Sequence, residues 1–351
     1  MNYKIITLPL LLLILASPLL SAKPSHENTQ QEFLRALQEQ VLIHDSAEAL
    51  NTLQQLELSL KTLQASPTQQ NLQRTQSLFT TFIIAWKAVE TVYILGALDD
   101  SYIDHPRYID YFHQTKESIP TQLEQALDSP KAIEKVLFKY STKSINALEY
   151  LLFPDPQQST EQKAIDTRRI EAAKIAVNNI TFWLSEITQG YQSINIATAK
   201  STAIISQVVN ALIDSSYKLA NWRVGEAAGL NKKYAGRPSA QRLEYPVSNT
   251  SFQAILSILK THRKIINRDD AIDLLDIARM NNAESELIFI QKEIDQALDL
   301  LISIPQPLAE QIESQSFKTL YKQLDKIHNA YYFILIDALN LNATIIDADG
   351  D

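Results

Sequence analysis

The sequence predicts an all-α protein, and three observations carry that reading: few glycines, apolar residues at helical spacing, and prolines at the breaks between long helices. Only 6 of 351 residues are glycine, while Leu, Ile, Ala, Gln, Glu and Lys abound, a composition of good helix formers. Ile170, Ala173, Val177, Ile180, Leu184 and Ile187 step along one stripe, and Leu287, Ile290, Ile294, Leu298 and Leu301 along a second. Leu320, Leu324, Ile327, Tyr331, Ile334 and Ala338 form a third. A stripe at that spacing packs one helix face against its neighbours, as in an antiparallel bundle. Its residues are core positions and carry no functional message.

In chain order, the N-terminus comes first. Met1–Lys4 carries one positive charge, Ile5–Ala16 is an apolar run, and Ser17–Ala22 ends in small residues before Lys23. A basic tip, a short apolar segment and a small residue at the cut describe a secretory signal peptide cleaved after Ala22. The competing reading is a membrane anchor, but a spanning helix needs roughly 20 apolar residues, more than this run supplies. No later stretch is expected to span a bilayer.

Helices are then expected near 30–65, 69–96, 118–127, 131–152, 161–190, 196–222, 250–266, 269–302 and 309–340. They break at Ser66-Pro67, at Pro154-Asp155-Pro156 and at Ile304-Pro305-Gln306-Pro307, where proline removes a backbone donor and restricts its predecessor. Asp99–Gln114 and Gly225–Thr250 lack a helical period. The second is the best internal loop, and it reads equally as a functional loop or a packed connector.

The formal charge is -8 and there is no cysteine. That removes disulfides, thiolate metal sites, cysteine nucleophiles and an N-terminal lipid-bearing cysteine together. An acidic chain without basic runs argues against nucleic acid or anionic lipid as a partner and is compatible with attracting cations. The His-Glu-x-x-His, Gly-x-Ser-x-Gly, P-loop and dinucleotide signatures are all missing. The histidines, at 26, 44, 105, 113, 262 and 328, never sit three or four apart as two ligands on one helix face would. Asp347–Asp351 resembles the start of a calcium loop without its closing carboxylate and reads better as an acidic tail.

Two weaker features stand out. Trp86-Lys87-x-x-Glu90 recurs as Trp222-Arg223-x-x-Glu226, a short echo that hints at two related helical halves. In Lys143–Phe153, Asn146 and Glu149 are three apart and leave the same helix face. A carboxylate turned inward there needs a cation or hydrogen-bond donors, whereas most such pairs are solvated surface.

The segment Ser144-Ile145-Asn146-Ala147-Leu148-Glu149-Tyr150-Leu151-Leu152-Phe153 resembles the signature helix of the imelysin family, Gly-x-His-x-x-Glu followed by an aromatic and a Leu-Leu-Phe-like run. Phe82–Gly96, with Trp86, Lys87 and Glu90, is similar to the family's Trp-basic-x-x-Glu helix. Arg107–Tyr111 resembles its Arg-x-Ile-Asp-aromatic turn, Asp166–Arg169 the start of its next long helix, and Leu339–Asp351 its tail. Of the signature itself only Glu149 remains, with Ser144 and Asn146 where the family has Gly and His.

The resemblance implies two helical bundles packed into one compact unit, 23–195 and 196–351, with the signature helix near their junction. It also implies a periplasmic binding protein, an accessory of metal or iron uptake that catalyses nothing. The alternatives are a partner-binding relative whose metal site is lost and, behind it, a metallopeptidase, since the family was long filed with those enzymes. The ligand is a divalent or ferric cation, or a protein of the cell envelope. Glu149 anchors the candidate site, with Asn146 as a neutral donor one turn away and Glu90 and Asp110 as further carboxylates. The simpler roles are a Lys87–Glu90 pair on one helix and Asp110 capping a turn. Asparagine is a poor ligand for zinc or ferrous iron, so Asn146→His is the substitution expected to strengthen metal binding if the carboxylates converge on it.

Export sets the first expected outcome. Mass spectrometry of protein recovered from the periplasm should find Lys23 as the first residue; a mature species retaining Met1 would contradict it.

Overall fold

A computed structural model describes residues 26–113, 117–153, 165–198 and 200–341, and every regular element among them is helical. The expected signal segment, the Pro154–Pro156 break and the acidic C-terminal end lie outside the described residues. Helix α1 (His26–Leu37) runs through a π-helical stretch, Gln38–Ile43, into α2 (His44–Ala65). After the Ser66-Pro67 turn the Thr68 hydroxyl accepts from the Asn71 amide and starts α3 (Gln69–Thr91). Short helices α4 (Leu95–Leu98), α5 (His105–Ile109), α6 (Ile119–Leu127), α7 (Ile133–Val136) and α8 (Ile145–Leu152) follow. Then come the long α9 (Thr167–Ser193), capped by Asp166, and α10 (Ser201–Tyr217). The expected division near 195 falls in the connection between these two.

The second half holds α11 (Glu226–Ala228), α12 (Ser251–Ile266), α13 (Leu274–Met280), α14 (Glu284–Ser303), α15 (Gln315–Asn329) and α16 (Ile336–Ala338). Helices α2 and α3 pair; α9 lies on α2 and α12 on α3, while α14 packs on α12 and α15. The stripes behave as core over most of their length: Ile180, Leu184, Ile290, Ile294 and Leu320 are fully buried. Ile334, expected in the third stripe, is instead exposed and Leu335 is buried in its place, because the π-helical stretch Ala330–Leu335 shifts the helical register there.

Several expected helices are interrupted, each for a local reason. The segment near 131–152 is two helices, because Ser144 is extended and caps α8, its hydroxyl accepting from the Ala147 amide. The segment near 269–302 breaks at Asn282, whose φ is 58°, after an Asp273–Asp276 capping box has started α13. The segment near 196–222 passes into a π-helical stretch, Lys218–Gly225, before α11 ends at left-handed Gly229. The last helix begins later than expected, at Gln315, where Ser314 caps it.

Gln69–Leu98 is long and apolar enough to cross a bilayer by composition, contrary to the expectation that no such stretch follows the signal. Its apolar side chains are spent inside the protein: Phe79, Phe82, Ile83 and Trp86 are fully buried, and the helix stops at Thr91.

Two irregular segments fold onto the C-terminal end of α3. Gly96 of α4 lets the backbone of Ile103 in the first segment approach so closely that an added Cβ would stand 2.8 Å from the Ile103 Cα. Backbone cannot yield as a side chain tip does, and overpacking of this kind costs about 1–3 kcal/mol. Gly96→Ala should therefore lower the unfolding free energy by that amount, read as a fall in the urea midpoint at unchanged m; an unchanged midpoint would show that the turn carrying Asp110 is looser than described.

Candidate functional site

At the end of α3 an ammonium is buried. Lys87 is 0 % exposed, and its Nζ donates to Glu90 Oε2 at 2.7 Å, Asp110 Oδ2 at 2.9 Å and Glu244 Oε1 at 2.7 Å. Glu90 lies one turn further along the same helix. Asp110 is the residue that ends α5, and Glu244 comes from the second irregular segment. A second cation closes the group: Arg223 donates from Nε to Glu244 Oε2 at 2.7 Å and from Nη2 to Glu90 Oε2 at 2.9 Å. Arg223 sits in the π-helical stretch Lys218–Gly225; such stretches occur often at functional sites.

Three carboxylates thus meet two cations, leaving one net negative charge inside the protein. Burial alone works against the charged form of Lys87, but Asp110, Glu244 and Glu90 outweigh it and hold the ammonium well above its ordinary pKa. Burial likewise works against ionised Asp110. Lys87 and the hydrogen bonds from Tyr245, Lys87 and Phe112 overcome it, bringing the carboxyl down to about 2. Four donors hold Asp110: Trp86 Nε1, Lys87 Nζ and the Tyr245 hydroxyl on Oδ2, and the Phe112 amide on Oδ1. Only Glu90 reaches the surface, with 26 % of its side chain exposed.

Helix α8 holds the two turns that carry these acids. Asn146 Oδ1 accepts from the Tyr111 amide at 2.7 Å, which fixes the residue next to Asp110. Glu149 Oε1 accepts from the amides of Val247 and Ser248 and from the Ser248 hydroxyl, at 3.1, 2.8 and 2.8 Å, which fixes the turn after Glu244. Burial is the main influence on Glu149. It prevails over these hydrogen bonds, with some help from the charge of Asp110, and pushes the carboxyl up to about 7.

Of the residues singled out in the sequence, Glu90 and Asp110 therefore meet at Lys87, whereas Asn146 and Glu149 face backbone groups of two neighbouring turns. The simpler roles are present too, since Glu90 does pair with Lys87 and Asp110 does cap its turn. Glu244, Arg223 and Tyr245 were not singled out. A signal for Arg223 existed in the Trp-basic-x-x-Glu echo: its basic residue enters the cluster just as Lys87 does. Its glutamate does not, because Glu226 pairs with His113 at 3.2 Å, and His113 is stacked on Trp222.

The oxygens of Glu90, Asp110 and Glu244 lie within 4.8 Å of one another, a spacing that would suit a hard cation with oxygen ligands. The side chains present do not fit one, because the Lys87 ammonium already contacts all three and the Arg223 guanidinium takes two of them.

The peptidase M75 family model, described as imelysin, matches residues 43–345. The chain belongs to the imelysin family. Among solved structures it is similar to an imelysin-like protein from Psychrobacter arcticum 273-4, at 19 % identity and a TM-score of 0.74, covering 92 % of this chain and 99 % of the other. It is also similar to a protein described as an iron-regulated protein A precursor from Parabacteroides distasonis ATCC 8503, at 10 % identity and a TM-score of 0.70, covering 91 % and 96 %. Comparison with curated proteins returns no match. In this imelysin the signature helix is α8, Ser144 is its cap, and the remaining signature acid, Glu149, is a clasp on a loop.

The elevated pKa of Glu149 gives a pH dependence with a definite sign. A carboxyl raised from 4.5 to about 7 on folding contributes stability that is fully present below pH 4.5 and is lost as pH rises through 7. The loss is on the order of 3 kcal/mol. Urea midpoints taken at pH 4.5, 6 and 8 should fall for the wild type, and fall less for Glu149→Gln. Parallel profiles would mean that Glu149 titrates normally.

Proposed function

We propose that this imelysin is a non-catalytic binding protein of the cell envelope, in which the central cation position is filled from within by Lys87. One observation carries the reading: a single ammonium lies within 2.9 Å of each of three carboxylates that would otherwise serve a metal ion. Export is supported by the signal pattern of residues 1–22 and by the precursor wording of the Parabacteroides relative.

Peptidase chemistry of the zinc type needs several protein ligands and an open position for water. Asn146 Oδ1 is occupied by the Tyr111 amide and Glu149 Oε1 by three donors, so neither offers that arrangement. The same engagement argues against the signature position as a transition-metal site, and favours a relative that acts by binding a partner. A link to iron uptake remains the second reading. It rests on the relative described as iron-regulated, and under it iron governs the protein's expression or partner and is not held by these side chains.

Removing the ammonium tests the proposal. Taking one member from a buried ionic group typically costs about 3–5 kcal/mol, because the rest stay uncompensated. Lys87→Ala should be destabilised by that much, gain binding of manganese or calcium by titration calorimetry, and recover its thermal midpoint when the ion is added. Lys87→Met should be destabilised without recovery, since its side chain fills the space. Wild type and Asn146→His should bind neither ion appreciably. Tight binding by the wild type that disappears in Glu90→Gln would overturn the proposal.

A further inference from the structure

The acidic average of the chain conceals a basic loop. Between Gly229 and Glu244 lie Lys232, Lys233, Arg237 and Arg242, with no carboxylate among them. Elsewhere cations are commonly matched, as in Lys139–Glu117, Arg263–Asp295, Arg279–Glu284 and Lys326–Glu293. None of the four in this loop forms an ion pair among the described residues. Three of them gather on one ring: Lys233 Nζ, Arg237 Cζ and Arg242 Cζ stand 5.3, 5.7 and 4.0 Å from the centroid of Tyr234. Any two of these charges are then at most about 11 Å apart, close to one Debye length at 0.1 M salt, ~10 Å, so they repel one another across the ring. The attraction of each to the Tyr234 face offsets part of that repulsion.

The loop is built to keep them there. Gly229 is left-handed and packs so tightly that a Cβ would stand 2.8 Å from the amide nitrogens of both Arg237 and Pro238. The Gly236 amide donates to Gly229 O, the Ser239 amide to Ala227 O and the Tyr234 amide to Asn231 Oδ1. The guanidinium of Arg237 donates to Lys233 O, and that of Arg242 to Arg237 O and Glu226 O. Each Arg fork is therefore held at a fixed angle while it keeps unused N–H donors. Lys232, Lys233 and Arg237 are exposed, and Arg242 is half-buried.

We infer that the Tyr234 loop is a binding site for a multiply charged oxyanion carrying phosphate or carboxylate groups. Fixed guanidinium forks match such groups bidentately, and an anion seated among the cationic groups around Tyr234 removes the mutual repulsion that the loop otherwise sustains. The ligand is a soluble anion and not an anionic bilayer. The large apolar side chains that are exposed, among them Phe138, Phe182, Ile302 and Phe333, all lie outside this loop, so it has charge but no apolar wedge to insert. The rest of the molecule is strongly acidic, which a negative membrane surface would repel.

The test uses the mature chain with pyrophosphate and citrate as probes, titrated calorimetrically at constant ionic strength set with sodium chloride. The expected result is saturable binding that weakens at least ten-fold in Lys233→Gln/Arg237→Gln. Both changed side chains are exposed, so this variant should keep the wild-type helical circular dichroism. Arg242→Lys, which keeps the charge but loses the fork, should weaken binding as well. Absence of saturable binding, or binding equal in the wild type and the double variant, would overturn the inference. So would co-sedimentation with phosphatidylglycerol vesicles in the absence of binding to either soluble anion.

Discussion

A buried ammonium is tolerable only where carboxylates surround it, and that constraint on Lys87 organises much of this molecule. The lysine is reached through α3, a long helix apolar enough by composition to cross a bilayer yet packed into the interior. Its three acids come from the same helix, from the turn after α5 and from the loop before α12. Arg223, from the π-helical end of α10, closes the group against the other half of the sequence. Elements far apart in the chain are thus committed to one point, where displacing any of them would leave an unpaired charge in the interior.

The signature helix α8 is best understood as the support of that point. Asn146 and Glu149 leave one face, as their spacing requires, and each grips the backbone of a turn that delivers a carboxylate to Lys87. A histidine at 146 would offer a nitrogen in place of the amide oxygen; here the oxygen accepts from the Tyr111 amide. The family fold is kept, and in this chain the polar side chains at 144 and 146 serve backbone groups.

Much of the fold was legible because helical periodicity is a local property, visible in stripes such as Ile170–Ile187. What escaped were interruptions decided by single residues, such as the cap at Ser144 and the left-handed Asn282. The candidate site was legible in part. Glu90 and Asp110 could be found because they stand in family-like segments. Glu244 lies in an aperiodic loop, and nothing local marks a glutamate that will meet a lysine 157 positions away. Lys87 read as a helix-surface partner of Glu90, since spacing reveals a neighbour along the helix but not the acids arriving from elsewhere.

The central claim is that the ammonium of Lys87 takes the position a metal ion would hold. It is tested most directly by crystals of the protein soaked in manganese and measured at the manganese absorption edge. The account predicts no anomalous peak among Glu90, Asp110 and Glu244, with Lys87 Nζ in contact with all three. A strong peak between those carboxylates, with the Lys87 side chain swung away, would contradict it.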